Sequence, residues 1–295
     1  MPARPGRSWL FVPGDRERFL EKAATSAADC VFLDLEDAVL PAAKAAARRL
    51  VADALAAPFG PRRYVRVNPA SSPWHEDDLR AVVPGAPEGV CLPKCGRPED
   101  VVALAGRLDE LESAAGLEPG STRIVAAIES PGAVLASAAI AAAHPRVAAL
   151  ALGAEDLALE LGLGSARGAG ASELVFARSM VVYGAGAAGV ASIDGVFPDL
   201  EDADGLARDA LAARRLGFSA KSTISPRQVE VVNRVFSPGP DEVAWARRVV
   251  ASWHEAGGRG DGSAAAGGEL VDRPVVLRAM RLLELADAEP SGEEQ

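Results

Sequence analysis

The sequence predicts an α/β fold, a (β/α)8 TIM barrel with a C-terminal helical extension. Short apolar runs, often β-branched, alternate along the chain with Ala-rich segments whose apolar residues recur at helical spacing. This alternation is typical of parallel strands covered by helices. Eight such runs occur within about the first 235 residues. An open doubly wound sheet is the alternative, but it more often has about five to seven strands and a GxGxxG fingerprint, which is missing after the first run here.

The predicted strands are the short apolar runs, each bounded by turn-forming or charged residues. In chain order they are Ser8–Val12, Cys30–Leu35, Tyr64–Asn68, Gly89–Pro93, Arg123–Glu129, Val147–Leu152, Ala191–Val196 and Ala220–Ile224.

The segments between the strands are predicted as helices from the spacing of their apolar side chains. Pro131 supports one of them, because proline is favoured in the first turn of a helix. In chain order the helices are Arg16–Ala27, Ala42–Ala57, Pro98–Ala115, Gly132–Ala143, Glu173–Ala188, Asp202–Leu216 and Pro226–Val235.

The pattern changes after Val235, so we divide the chain into residues 1–235, the barrel domain, and 236–295, a helical extension. Helices are predicted over Asp241–Glu255 and Arg273–Ala286. Between them, Gly257–Gly268 is rich in Gly, Ala and Ser and is predicted to be a flexible linker, and the tail Glu289–Gln295 is predicted to be disordered.

Charge and cysteine content exclude several functional classes. The 31 Lys and Arg against 41 Asp and Glu give a net charge of −10, which argues against a nucleic-acid binder. No apolar leader and no span of about 18 apolar residues is recognised, so we expect a cytoplasmic protein without membrane association. Three cysteines without a disulfide framework suit a reducing compartment. Cys91 and Cys95 have no second Cys or His pair nearby and are interpreted as strand-end residues rather than a zinc site.

Polar residues at the carboxyl ends of the strands are the candidates for chemistry, because barrel active sites lie there. Converging carboxylates repel one another unless a cation neutralises them, and Mg²⁺ is the expected ion, with Mn²⁺ as an alternative. Each acid alone could instead cap the next helix. The four strand ends concerned read Asp34-Leu-Glu36-Asp37, Arg66-Val-Asn68, Glu129 and Gly153-Ala-Glu155-Asp156.

Two further features indicate an anionic ligand at the same barrel end. Gly153 lacks a side chain, so the N–H groups of Ala154 and Glu155 can approach a bound carboxylate. Arg66 lies on an otherwise apolar strand, where burial requires an anionic partner or ligand. A substrate carboxylate or an enolate oxygen would satisfy it.

The histidines and common catalytic motifs do not favour a nucleophilic enzyme. His75 is predicted in a loop, His144 at the end of a helix and His254 in the C-terminal extension, and each is interpreted as a surface or capping residue. No GxSxG elbow, P-loop or HExxH helix is present.

The chain resembles the citrate lyase β-subunit-like branch of the HpcH/HpaI aldolase family over residues 7 to about 290. This branch consists of metal-dependent TIM barrels that make or break a carbon–carbon bond in CoA thioesters. The motifs that carry the resemblance are Arg7-Ser-Trp-Leu-Phe-Val-Pro-Gly-Asp15, Leu33-Asp-Leu-Glu-Asp-Ala-Val39, Arg66-Val-Asn68, Leu92-Pro-Lys94, Ile128-Glu-Ser-Pro131, Gly153-Ala-Glu-Asp-Leu157 and Val231-Val-Asn-Arg-Val-Phe236.

The resemblance implies a Mg²⁺-dependent lyase of malyl-CoA, citramalyl-CoA or citryl-CoA type, working through an acyl-CoA enolate and an oxoacid. Glu129 and Asp156 match its metal ligands, and Glu36 and Asp37 match the acidic pair that orients bound water. Arg66 matches the arginine that stabilises the enolate or oxoacid oxygen.

The resemblance also implies a homo-oligomer, a trimer or a hexamer. Asp272 resembles an aspartate that the C-terminal extension delivers to a neighbouring subunit's site as acid or base. We expect the CoA diphosphate to meet Arg16, Arg18 or Lys22 near the first helix.

Two alternatives keep the same enolate chemistry. One is a condensing or thioester-hydrolysing enzyme of malate synthase type, and the other is a citrate lyase β subunit acting on an acyl-carrier thioester. A free-pyruvate aldolase of the HpaI type is not favoured, because that branch uses an early histidine and none precedes His75. The chain has Ile224-Ser225-Pro226 where the family usually has Ile-His-Pro, which leaves the acyl group open.

Overall fold

The first structural unit is a closed barrel of eight parallel strands in chain order, which confirms the predicted fold class. The computed structural model describes residues 6–164, 172–258, 264–266 and 269–287, and it divides the chain into the compact units Met1–Phe236 and Ser237–Gln295. The barrel strands are β1 (Ser8–Pro13), β2 (Cys30–Asp34), β3 (Arg62–Arg66), β4 (Gly89–Leu92), β5 (Arg123–Ile128), β6 (Val147–Leu152), β7 (Ala191–Asp194) and β8 (Ala220–Thr223).

Helices cover the outside of the barrel. Two of them are missing from the prediction because they are short and carry several acids rather than a long apolar stripe: the acidic α3 and the seven-residue α6. The helices are α1 (Glu17–Ala24), α2 (Lys44–Ala56), α3 (His75–Val82), α4 (Pro98–Ala115), α5 (Pro131–Ala141), α6 (Ala154–Glu160), α7 (Val175–Ala188), α8 (Ala203–Leu216) and α9 (Pro226–Phe236).

The loop assignment of His75 is therefore wrong, because this residue begins α3. Its ring Nδ1 lies 2.7 Å from the carbonyl oxygen of Asn68, just after β3. Three acids in the first turn of α3 complement the positive end of the helix dipole, which accounts for a helix in a polar stretch.

The barrel interior is closed by apolar side chains. Alternate residues of the strands point inward, among them the aromatic residues Trp9, Phe32 and Tyr64, all of which are buried. The Trp9 ring centroid lies 4.9 Å from that of Phe32 and 4.6 Å from that of Tyr64. Phe11 packs against this cluster, and the Arg66 guanidinium carbon lies 4.7 Å from its ring centroid. The polar residues at the carboxyl ends of the strands therefore lie against an apolar barrel interior.

A buried ion pair joins α4 to the segment before β6. The Arg146 guanidinium donates to both carboxylate oxygens of Glu112, at 2.8 and 2.6 Å, and to the carbonyl oxygen of Thr122. Burial opposes the charge on Glu112, but the hydrogen bonds from Arg146, Thr122 and Gly120 outweigh it and lower the pKa of Glu112 to about 2.

The second unit consists of α10 (Pro240–Gly258), the strands β9 (Ala264–Ala266) and β10 (Glu269–Val271), and α11 (Arg273–Asp287). Its apolar centre includes Ala246, Val249, Val271 and Val276. The prediction of a linker over Gly257–Gly268 is wrong in part, because α10 extends to Gly258 and β9 pairs antiparallel with β10. The predicted tail Glu289–Gln295 lies outside the described residues. Within the described ranges, no helix is long and apolar enough to span a membrane.

Candidate active site

The end of β3 is fixed to the end of β2 by an arginine–carboxylate pair. Asp34 and Arg66 occupy matching register positions, and Asp34 accepts hydrogen bonds from Arg66 Nε at 2.8 Å and Nη2 at 2.6 Å. The anionic partner that burial of Arg66 requires is therefore supplied by the chain itself. Although burial disfavours its charge, Asp34 and then Glu36 raise the pKa of Arg66, so the guanidinium stays protonated.

Asp34 is a site residue to which the sequence analysis assigned no role. Besides binding Arg66, its carboxylate accepts from the backbone N–H of Glu36 at 2.9 Å and that of Ala38 at 3.3 Å. It therefore shapes the turn that carries the two predicted acids. The signal available in the sequence was an acid and a base, each at the predicted end of one of two neighbouring strands.

Glu36 and Asp37, predicted as a pair, have different environments. Glu36 is buried and its Oε2 lies 3.0 Å from Arg66 Nη1, whereas Asp37 is exposed. The buried Oε1 of Glu36 has no hydrogen-bond partner. Burial raises the pKa of Glu36 to about 8 in spite of Arg66, because neighbouring carboxylates add to the cost of its charge.

Glu129 follows β5 directly and is buried at the same barrel end. Its Oε2 accepts a hydrogen bond from the backbone N–H of Lys94 at 2.7 Å. Burial raises the pKa of Glu129, and the negative charge of Asp156 raises it further. Asp156 lies in the first turn of α6 with its side chain 37% exposed.

Gly153 has a second role, which could not be predicted from the sequence. A Cβ at this position would lie 2.3 Å from Cγ and 2.7 Å from Oε1 of Glu129, far inside van der Waals contact. Glycine here therefore makes room for the Glu129 side chain. The backbone N–H groups of Ala154 and Glu155 follow at the start of α6.

The donor chemistry of these residues fits a hard divalent cation. The acidic side chains offer only carboxylate oxygens, and one buried oxygen, Glu36 Oε1, lacks a hydrogen-bond donor. Within the described part of the chain, no three His, Cys, Asp or Glu side chains are grouped as a metal site. Two protein ligands with open positions suit Mg²⁺, which usually retains several waters.

The residues predicted for CoA lie at the start of α1 and along it, and the residue predicted for acid–base chemistry belongs to the second unit. Arg16, Arg18 and Lys22 are exposed at the start of α1 and along it, and Arg16 Nε lies 3.4 Å from Asp15 Oδ1. Asp272 belongs to the second unit, where it is exposed and caps α11 by accepting the N–H of Val275 at 3.2 Å.

A buried ionic network occupies the ends of β7 and β8. Lys221 Nζ lies 2.6 Å from Asp194 Oδ2 and 2.5 Å from Asp209 Oδ2, and Arg178 donates to both oxygens of Asp194. These four side chains line a cavity of about 20 Å³. Ser225, at the position of the family histidine, accepts the N–H of Arg227 at 3.3 Å and so caps α9.

Comparison with known proteins identifies relatives along nearly the whole chain. Citrate lyase subunit beta of Escherichia coli is 39% identical over 98% of this chain and 95% of its own. The (3S)-malyl-CoA thioesterase of Cereibacter sphaeroides is 36% identical over 97% of this chain and 96% of its own. The CitE protein of Mycobacterium tuberculosis, solved with magnesium, acetoacetate and coenzyme A, superposes with a TM-score of 0.79 at 35% identity, covering 97% of this chain and 100% of that one.

The family model described as HpcH/HpaI aldolase/citrate lyase matches residues 7–226. This range includes every predicted site residue of the barrel, from Arg16 to Asp156, and it confirms the resemblance. The chain therefore belongs to the HpcH/HpaI aldolase/citrate lyase family, in its branch of carbon–carbon lyases that act on CoA esters.

Proposed function

We propose that this protein is a Mg²⁺-dependent carbon–carbon lyase acting on a 3-hydroxyacyl-CoA thioester of malyl-CoA, citramalyl-CoA or citryl-CoA type. One observation carries the proposal: Lys94 contacts both acids, Glu129 through its backbone N–H at 2.7 Å and Asp156 through its ammonium at 3.5 Å, so the two carboxylates lie at one end of the barrel. Gly153 leaves the room that the Glu129 side chain needs. The relatives that bind magnesium and coenzyme A or act on malyl-CoA support the same assignment.

Glu129 and Asp156 would hold the ion, which is Mg²⁺ or alternatively Mn²⁺. When bound, it acts as a Lewis acid toward substrate oxygens. Glu36 and the exposed Asp37 would orient bound waters, in keeping with their places beside Arg66 and at the barrel mouth.

Arg66 is assigned to the charge that develops during cleavage. The hydroxyl group loses its proton to solvent, the breaking carbon–carbon bond leaves its electron pair on the acyl-CoA fragment as an enolate, and the hydroxyl carbon becomes the carbonyl carbon of the oxoacid. Arg66 is held in place by Asp34, so its remaining N–H groups are oriented before the substrate arrives. The N–H groups of Ala154 and Glu155 are assigned, with Gly153, to a carboxylate of the substrate.

Asp272 is assigned as the acid that protonates the enolate carbon, or as the base in the condensation direction. This requires residues 236–295 to act as a lid on the site of a neighbouring subunit, and therefore a homo-oligomer, a trimer or a hexamer. The exposed position of Asp272 in its own unit supports the assignment.

The CoA diphosphate is assigned to Arg16, Arg18 and Lys22, three exposed cations at and near the start of α1. We place the reaction in the cytoplasm, because Cys30, Cys91 and Cys95 are all free and buried, as suits a reducing compartment.

Two other outcomes are kept as candidates, and the names of relatives bear on both of them. A malate-synthase-like or thioesterase reaction would use the same enolate or thioester and release free CoA, and the malyl-CoA thioesterase relative favours it. A citrate lyase β subunit would use an acyl-carrier thioester instead, and the Escherichia coli relative favours that.

A thioester panel distinguishes these outcomes. The protein is incubated with malyl-CoA, citramalyl-CoA and citryl-CoA, with and without EDTA, and acyl-CoA, oxoacid and free thiol are measured separately. We expect EDTA-sensitive release of acyl-CoA and oxoacid from at least one thioester. Release of free thiol from one of these thioesters would indicate a thioesterase. Release of free thiol from acetyl-CoA plus glyoxylate would indicate a synthase. No reaction with any CoA ester, together with stable capture of an acyl-carrier protein, would replace the proposal by the subunit function.

A further inference from the structure

Lys94 has a backbone conformation that lysine seldom adopts. It follows β4 with φ 52°, and among the residues that the structure describes only Ala86 shares a positive φ without being glycine. A left-handed residue with a Cβ costs about 1 kcal/mol or more, and such strain is concentrated at functional sites. In this conformation the Lys94 N–H donates to Glu129 Oε2 at 2.7 Å.

The side chain of Lys94 lies among the acids of the candidate site. Its Nζ is 3.5 Å from Asp156 Oδ1 and 3.8 Å from Glu36 Oε1, the buried oxygen that has no hydrogen-bond partner. Both distances are longer than a hydrogen bond, so the attraction holds the ammonium without fixing its direction. The side chain is 46% exposed.

Arg66, a second cation in contact with Glu36, is not available in the same way. Arg66 is bound at two points by Asp34 and lies 3.0 Å from Glu36, with its side chain 15% exposed. A guanidinium held at two points has a fixed orientation, which suits a residue that stabilises negative charge in the transition state. A loosely held ammonium suits a charge that changes partner when a ligand binds.

We propose that Lys94 is the exchangeable counter-charge of this site: its ammonium neutralises Asp156 in the empty enzyme, beside the buried Glu36, and binds the carboxylate of the oxoacid half when a divalent cation occupies Glu129 and Asp156. The inference rests on the proposed function and adds a specificity residue to it. Under this proposal, Lys94 lowers the affinity of the site for Mg²⁺ alone and raises its affinity for an oxoacid. A residue that only supports the fold would shift both affinities in one direction.

The test is isothermal titration of the full chain in two steps. Mg²⁺ alone is titrated first, and then glyoxylate, pyruvate and oxaloacetate are each titrated at saturating Mg²⁺. Lys94→Gln removes the charge and keeps most of the length, Lys94→Arg keeps the charge, and Lys94→Gly removes the side chain while permitting the left-handed backbone.

For Lys94→Gln and Lys94→Gly we expect Mg²⁺ affinity to rise about three- to tenfold and affinity for the preferred oxoacid to fall about tenfold or more. Lys94→Arg should remain within about threefold of the wild type for both ligands. Affinities that move in the same direction, or that do not change, would overturn the proposal. So would a wild-type protein that binds Mg²⁺ but none of the three oxoacids.

The titration requires no turnover, so its failure differs from failure of the lyase assignment. If the wild type and variants behave as expected while no thioester is cleaved, Lys94 keeps its role and the reaction is wrong. If a thioester is cleaved but the Lys94 variants bind both ligands as the wild type does, the reaction stands and the role of Lys94 is wrong.

Discussion

Asp34 holds Arg66 through two parallel hydrogen bonds of 2.6 and 2.8 Å, at matching positions of β2 and β3. The pair fixes the plane of the guanidinium, while the face of Arg66 also lies over the Phe11 ring. A planar, two-point contact is something that arginine makes and lysine cannot. The orientation of Arg66 is therefore set before any substrate binds.

Asp34→Asn should lower the rate of thioester cleavage. The amide keeps the size but loses the charge and one acceptor, so Arg66 loses an anchor and we expect kcat/KM to fall about tenfold or more, with kcat affected more than KM. Steady-state kinetics measures this. Asp77→Asn is the matched control, since Asp77 is 61% exposed and pairs with Arg48 rather than with Arg66. An equal loss in both variants would contradict a role for Asp34 in orienting Arg66.

Gly153→Ala should damage the metal site while leaving the barrel folded. The new Cβ would lie 2.3 Å from Glu129 Cγ, so the carboxylate must move, and we expect Mg²⁺ affinity to fall about tenfold or more. Calorimetry measures the affinity, and circular dichroism confirms the fold. Gly132→Ala is the control, because its added methyl group meets no atom within 4 Å. Wild-type Mg²⁺ affinity in Gly153→Ala would show that Glu129 is not a ligand.

Glu129→Ala tests the ligand assignment directly. Removing the buried carboxylate leaves Asp156 as the single acidic ligand of the pair, so Mg²⁺ binding should be lost at millimolar concentrations and activity with it. Calorimetry gives the affinity. If the variant still binds Mg²⁺ tightly, the ion is held elsewhere.

Asp272→Asn should abolish turnover and preserve Mg²⁺ binding. Asparagine is as good a helix N-cap as aspartate, so α11 should keep its start and the protein its stability. The substitution removes only the titrating group, and activity should fall about a hundredfold or more. Unchanged activity would show that Asp272 acts only as the N-cap of α11.

The Glu112–Arg146 pair should make stability depend on acid pH. The pKa of Glu112 is lowered from its usual 4.5 to about 2 in the folded state, so its contribution is complete above pH 4.5 and is lost as pH falls toward 2. The linkage corresponds to about 3 kcal/mol. In urea unfolding, Glu112→Gln should be less stable than the wild type at pH 7, and the difference should shrink at pH 3. Glu110→Gln, whose carboxylate is 69% exposed, is the control.

The fold could be predicted because alternating apolar runs and helical segments are local properties of the sequence. The prediction failed for segments whose sequence carries only a weak pattern of apolar residues. Helix α6 has seven residues, and β9 is three alanines that become a strand by pairing with β10. Neither segment carries a periodic pattern long enough to identify it.

The acids of the site could be predicted because they end strands that a barrel brings together. The contacts that these residues make with their neighbours could not be predicted from the sequence. The binding of Arg66 by Asp34 depends on strand register, and the contact of Lys94 with Glu129 depends on a backbone angle that the residue type disfavours. The role of Gly153 depends on a distance across two strands.

The aromatic side chains that fill the barrel give the proposed reaction a single entrance. Phe11 lies against the Arg66 guanidinium, and Trp9, Phe32 and Tyr64 fill the barrel interior, so in the proposed reaction the substrate would enter and both products would leave at the carboxyl ends of the strands. Cleavage turns one bound molecule into two that share this exit. The fragment nearer the opening must therefore depart first, and an excess of that fragment should trap the other inside, which gives an ordered pattern of product inhibition.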